Sequence, residues 1–149
     1  MRNHEYLQSR LDSIITNFFP EIDNSRITII FGRRARTRLG SIKQPKSLES
    51  SVVTINGIFA DESIPTEIID ATIAHELCHY IHGFSSSLPQ LLSHPHRGGV
   101  VNTEIRNRGL GHILDFQTRW LKTSWPSIVK SHFPNIVRRR RRIRFVLFR

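Results

Sequence analysis

Apolar residues recur at spacings of three and four near the start of the chain: Tyr6, Leu7, Leu11, Ile14, Ile15, Phe18 and Phe19. That period is one face of an α-helix over about residues 4–18, and Pro20 ends it because proline lacks the backbone N–H that the next turn needs. The pattern then changes. Arg26-Ile27-Thr28-Ile29-Ile30-Phe31 is rich in β-branched residues and stops at Gly32, which predicts a first strand. Thr37 to Ile42 predicts a weaker strand and Ser51 to Ile58 a stronger one, with a polar linker containing Pro45 over 43–50. Neighbouring strands so connected predict an antiparallel meander, covered on one face by the first helix.

From Pro65 the helical period returns. Ile68, Ile69, Ile73, Ala74, Leu77 and Ile81 spread apolar side chains round most of a helix from about 65 to 82. Ser63 or Asp61 is expected to cap it, Pro65 to occupy its first turn and Gly83 to end it. A helix apolar on most sides is a buried one. Beyond Gly83, Ser85-Ser86-Ser87, Pro89, Pro95, Gly98 and Gly99 break regular structure, leaving a loop of a length that often borders a functional site. A short helix over Val100 to Arg108, a turn at Gly109-Leu110-Gly111 and a helix opened by His112 follow. Ile113, Leu114, Phe116, Trp120 and Leu121 form its apolar face, and Pro126 marks a boundary. The expected fold class is α+β: N-terminal helix, small antiparallel sheet, buried helix, long loop and C-terminal helix. One domain is expected over residues 1–130, with a basic, flexible tail over 131–149.

The buried helix carries His75-Glu76-Leu77-Cys78-His79. Residues four apart lie one turn apart on the same face, about 5–6 Å between Cβ atoms, so both imidazoles can reach one Zn²⁺ at about 2.0–2.1 Å each. Glu76 stands about 100° further round. That is the wrong direction for a third ligand but the right one for taking a proton from a water on the metal. Composition alone predicts about 0.03 chance occurrences of this pattern in the chain. The plain alternative is a structural helix, yet two histidines and a glutamate buried without partners would cost several kcal/mol. Cys78 points away from both histidines and reads as a small buried hydrophobe.

Catalytic zinc typically has three protein ligands and an open position. His112, at a helix start after a Gly-x-Gly turn, is the first candidate for the third. Glu104 would complete a His-His-Glu set, and His94 and His96 lie in the loop. Tyr80, His82 and Arg108 are candidate donors for a developing oxyanion.

Length and charge set the frame. A chain of 149 residues fits one domain that buries about two-thirds of its unfolded surface. Cys78 is the only cysteine, so no intramolecular disulfide can form, which suits a reducing compartment. Met1-Arg2-Asn3-His4-Glu5-Tyr6-Leu7 lacks the apolar core of a secretory signal, so a cytoplasmic location is expected. No stretch reaches the 18 or more apolar residues of a membrane helix; the longest tail run is Phe145-Val146-Leu147-Phe148. The net charge of +10 is uneven: residues 138–149 hold seven arginines and no acid, leaving +3 on the other 137 residues. The high pI therefore describes a tail more than a fold. Arg138, Arg139, Arg140, Arg141, Arg142 and Arg144 are candidates for nucleic-acid phosphates. An anionic membrane, with Ile143 and Phe145 inserting, or plain solvation are the other readings.

Ala74-His75-Glu76-Leu77-Cys78-His79, Gly111-His112 with Phe116 four residues on, and upstream Arg38-Leu39-Gly40-Ser41 and Val53-Thr54-Ile55-Asn56 together resemble the SprT-like zinc metallopeptidases. The related small WLM and minigluzincin-type peptidases are similar too. The resemblance covers about residues 5–123. It implies a zincin-like fold and a zinc-dependent endopeptidase, with His75, His79 and His112 as ligands, Glu76 as general base and, for some relatives, a setting near DNA. The stretch between His79 and His112 is longer than the family's, and no cysteine pairs exist for its accessory zinc module. The rival expectation is a non-catalytic, zinc-stabilised nucleic-acid-binding or interaction protein with a degenerate peptidase fold.

Overall fold

Helix α1 (His4–Phe18) forms where the spacing predicts it. Asn3 caps it, its side chain accepting the Tyr6 N–H at 3.0 Å, and its inner face buries Leu7, Leu11, Ile14 and Ile15. The computed structural model describes residues 1–47, 49–84, 88, 90 and 99–134. Among these the chain is α+β, with five α-helices and one mixed sheet of three strands. The loop candidates His94 and His96 and the arginines of 138–149 lie outside the described residues.

The sheet departs from the expected meander. Strands β1 (Ile27–Phe31), β2 (Gly40–Lys43) and β3 (Ser51–Ile55) stand in the order β1-β3-β2. β3 pairs parallel with β1, Ile29 opposite Val53, and antiparallel with β2, Ile42 opposite Val53. The physical reason lies in the 32–39 connection. It is too long and too polar for a tight hairpin, so it crosses the end of the sheet and delivers β2 to the far edge. The central place goes to Ser51-Val52-Val53-Thr54-Ile55, whose alternate residues Ser51, Val53 and Ile55 are buried. Among the described residues β2 lies at an edge of the sheet.

Helix α2 (Thr66–Ile81) is the centre of the molecule. Nearly every residue from Ile68 to Tyr80 is buried, with α1, α3 (Val100–Asn107), α4 (Gly111–Thr123) and strands β2 and β3 packed round it. Its start differs from the expectation: Pro65 is the capping residue and neither Asp61 nor Ser63 caps the helix. Asp61 instead closes its own turn by accepting the Ser63 N–H at 2.9 Å. The end is as expected. Gly83, at φ 83°, lets its N–H reach the Tyr80 carbonyl while the Phe84 N–H reaches that of His79, the paired bonds that stop a helix. Arg10 clamps α1 to α2 through two bonds to Asp70, 2.8 and 2.6 Å long.

After α3 (Val100–Asn107) and α4 (Gly111–Thr123) comes a further helix, α5 (Trp125–His132), that the pattern reading did not separate. Pro126 sits in the first turn of this helix, so the boundary it marks is the junction between α4 and α5. α5 runs two residues past position 130. Trp120 and Trp125 both pack against Phe59, edge-on, with centroids 6.3 and 5.7 Å away. Among the described residues no helix is long and apolar enough to cross a membrane.

Candidate metal centre

His75 and His79 stand four positions apart on α2, His79 buried and His75 partly so. Their Nε2 atoms lie 3.0 Å apart and the rings meet edge-on, centroids 4.7 Å apart at 79°. A tetrahedral zinc with bonds near 2.05 Å holds two nitrogens about 3.3 Å apart, so a few tenths of an ångström admit the ion between them. Phe84, held by the helix-ending turn, packs its edge against His79 at 6.2 Å. The local fold thus aims two nitrogen donors at one point.

Glu76 points elsewhere, as its angle predicts. It is 6 % exposed and reaches a cavity of about 180 Å³ lined also by Arg38, Leu39, Gly40, Thr72, His75 and Gln117. Burial pushes its carboxyl up to about 7, with Arg38 pulling the other way. A carboxyl poised there both takes and returns protons at neutral pH. On the helix, Thr72 sits one turn before Glu76. Its hydroxyl donates to the Ile68 carbonyl at 2.7 Å, and the Gln117 amide donates to the Thr72 hydroxyl at 3.2 Å.

Three cleft residues escaped the sequence reading as functional candidates: Arg38, Thr72 and Gln117. Two left a signal. Thr72 shares a helix face with His75 and Glu76, and Gln117 interrupts the apolar stripe of α4 between Ile113, Leu114 and Trp120. Arg38 appeared only as part of a resembling stretch.

The expected oxyanion donors are placed differently. Tyr80 lines a separate cavity with Glu21, Ile22, Asp23 and Arg26. Arg108 bonds to Glu104, Glu21 and the Phe18 carbonyl and lies over the Phe19 ring. His82 is buried at the end of α2 and, like the other two, does not line the Glu76 cavity.

Of the candidate third ligands, Glu104 is engaged by Arg108, Nε to Oε1 at 2.9 Å. His112 opens α4 with its side chain exposed. Among the described residues no three His, Cys, Asp or Glu side chains come together as a metal-holding group. Cys78 is fully buried, which pushes its thiol up to about 12 and suits it to packing rather than ligation. No family model, curated protein or solved structure matches this chain.

Proposed function

We propose that the protein is a zinc-dependent endopeptidase of SprT-like, zincin-like type. The observation that carries the reading is the convergence of His75 and His79 Nε2 beside a buried Glu76 that opens onto a cleft. His75 and His79 would hold the ion. His112 is the third ligand that the resemblance implies, with His94 and His96 as competitors; Glu104 is the weakest candidate because ligation would cost it the bond from Arg108. When bound, zinc acidifies water and polarises a carbonyl.

Glu76 accepts a proton on its carboxylate and returns it to the leaving amine. Gly40 lets β2 approach this carboxylate closely, since a Cβ there would lie 3.5 Å from Glu76 Oε1. Among the described residues β2 is an edge strand of the sheet and contributes Gly40 to the same wall, which favours an extended substrate strand. Arg38 lines the cavity with the carboxylate and is the proposed oxyanion donor in place of Tyr80, His82 and Arg108. The lone buried Cys78 is consistent with a reducing, cytoplasmic setting. The seven arginines of 138–149 are proposed to contact nucleic-acid phosphates, and deleting 138–149 should then flatten the logarithmic salt dependence of DNA binding by up to about 6.

The test is hydrolysis of an unstructured protein such as casein by zinc-loaded wild type and Glu76→Gln. Zinc content should stay the same while cleavage falls at least about 100-fold. Equal cleavage by both proteins would remove Glu76 as the base.

A further inference from the structure

Charge is segregated in the sequence ahead of the tail. Residues 24–48 contain seven Lys or Arg and no acid, which leaves the rest of the chain before the tail net negative. The fold sorts these cations by role. Arg26 pairs with Asp23; Arg34 and Arg36 face α5, where Arg36 lies over the Phe133 ring and the Trp125 indole donates to the Arg36 carbonyl at 3.0 Å. Arg33, Arg38 and Lys43 instead line one cavity of about 280 Å³, walled by Ala35, Gly40, Ser41, Thr54, Ile55 and Asn56. None of the three makes an ion pair among the described residues, although Arg10, Arg26, Arg106 and Arg108 all do.

The loop that carries Arg33 and Arg38 is held from beneath, and Lys43 stands at the end of β2. Asn56, 4 % exposed, donates to the carbonyls of Ala35 (2.8 Å) and Arg38 (2.9 Å) and accepts the Ala35 N–H (3.3 Å). Gly57 lies so close that a Cβ there would sit 2.4 Å from the Gly32 carbonyl oxygen. A backbone fixed this way keeps the like charges together, with Glu76 facing Arg38 from the adjoining cleft, and the ordering cost is met in folding rather than on binding. The cavity shares Arg38 and Gly40 with the Glu76 cleft, so the two spaces adjoin along β2.

We propose that the cavity lined by Arg33, Arg38 and Lys43 is a specificity subsite that receives an acidic side chain of the peptide substrate; this rests on the peptidase reading of the cleft. A carboxylate entering it gains charge-assisted bonds from guanidinium and ammonium groups that make no ion pair among the described residues, Arg38 being shared with the Glu76 cleft. The shape favours a peptide over a nucleic-acid strand. The space is short and concave, and no aromatic ring lines it to stack a base.

The test is a binding measurement that needs no turnover. Fluorescent alanine-rich hexapeptides, with one glutamate walked through the positions and a glutamine twin for each, are titrated into full-length Glu76→Gln protein and read by anisotropy. At one or two adjacent positions glutamate should bind about tenfold tighter than glutamine. The triple variant Arg33→Gln, Arg38→Gln, Lys43→Gln should bring that ratio to about one, while Arg119→Gln, Lys122→Gln, Lys130→Gln, equal in charge, keeps it. No glutamate advantage, an equal advantage at every position, or an advantage that survives the first triple variant would each overturn the subsite. So would an oligothymidylate that binds through the same three cations when the peptides do not. These outcomes leave the zinc and casein tests untouched. A positional glutamate advantage in a protein whose wild type cleaves nothing would keep the subsite and remove the peptidase reading.

Discussion

A Cβ placed on Gly40 would lie 3.5 Å from Oε1 of Glu76, so the edge strand and the carboxylate face each other across the width of a single side chain. The same Cβ would meet Thr72 Cγ2 at 2.7 Å and the Thr54 carbonyl oxygen at 3.2 Å. Gly40→Ala should therefore overpack this seam, costing about 1–3 kcal/mol in urea unfolding and narrowing the cleft. Adding Thr72→Ser removes the offending methyl while keeping the hydroxyl bond to Ile68, and should recover most of the loss. No recovery would mean that the pressure falls on backbone rather than on Thr72.

The clamp between Arg10 and Asp70 is charged, two-pronged and buried on the acid side, where Asp70 is 8 % exposed. Asp70→Ala should lower stability by about 2 kcal/mol, since bonds to charged groups contribute more than neutral ones. Chemical denaturation with an unchanged m-value checks this. A loss below a few tenths of a kcal/mol would show that solvent replaces the pair.

Acid sensitivity should have a contribution from Glu21. The Arg108 guanidinium donates to this carboxylate and holds it below the usual range. A carboxylate depressed in the folded state stabilises above its unfolded value near pH 4.5 and loses that contribution as pH falls through its folded value. Glu21→Gln should be less stable than wild type at pH 6, and the gap should close below about pH 4.5. The effect is small because Glu21 is about half exposed and Arg108 keeps Glu104 as a second partner. A gap independent of pH would remove the ion pair from the acid response.

Cys78 should be inert in the folded protein. It is fully buried in α2, and burial pushes its thiol up to about 12. An aromatic disulfide reagent at pH 8 should react with one thiol per chain in guanidinium and with almost none in native buffer. Rapid native reaction would contradict the packing of α2 and reopen Cys78 as a ligand.

Much of this architecture is legible in the residues, and the exceptions have causes. Periodicity places α1, α2, α3 and α4 because each has an apolar face and a breaker beyond it: Pro20 after α1, Gly83 after α2. Strand positions are legible too, but strand order is not. Whether Gly32 begins a hairpin or a crossover depends on what the 32–39 segment packs on, and Asn56 and α5 decide that from far along the chain. α5 was hidden because Pro126 serves equally as a stop or as a first-turn residue. In the site, the His75, Glu76 and His79 geometry is local to one helix, so spacing suffices. Arg38 and Gln117 come from β2's approach and from α4, and only tertiary packing brings them to Glu76.

Zinc titration of the full-length protein against a competing chromophoric chelator tests the central claim most directly. One zinc per chain should bind at pH 7, and His79→Ala should weaken that binding on the order of 100-fold or more. Stoichiometric binding that survives His79→Ala, or a wild type that takes up no zinc, would contradict the account.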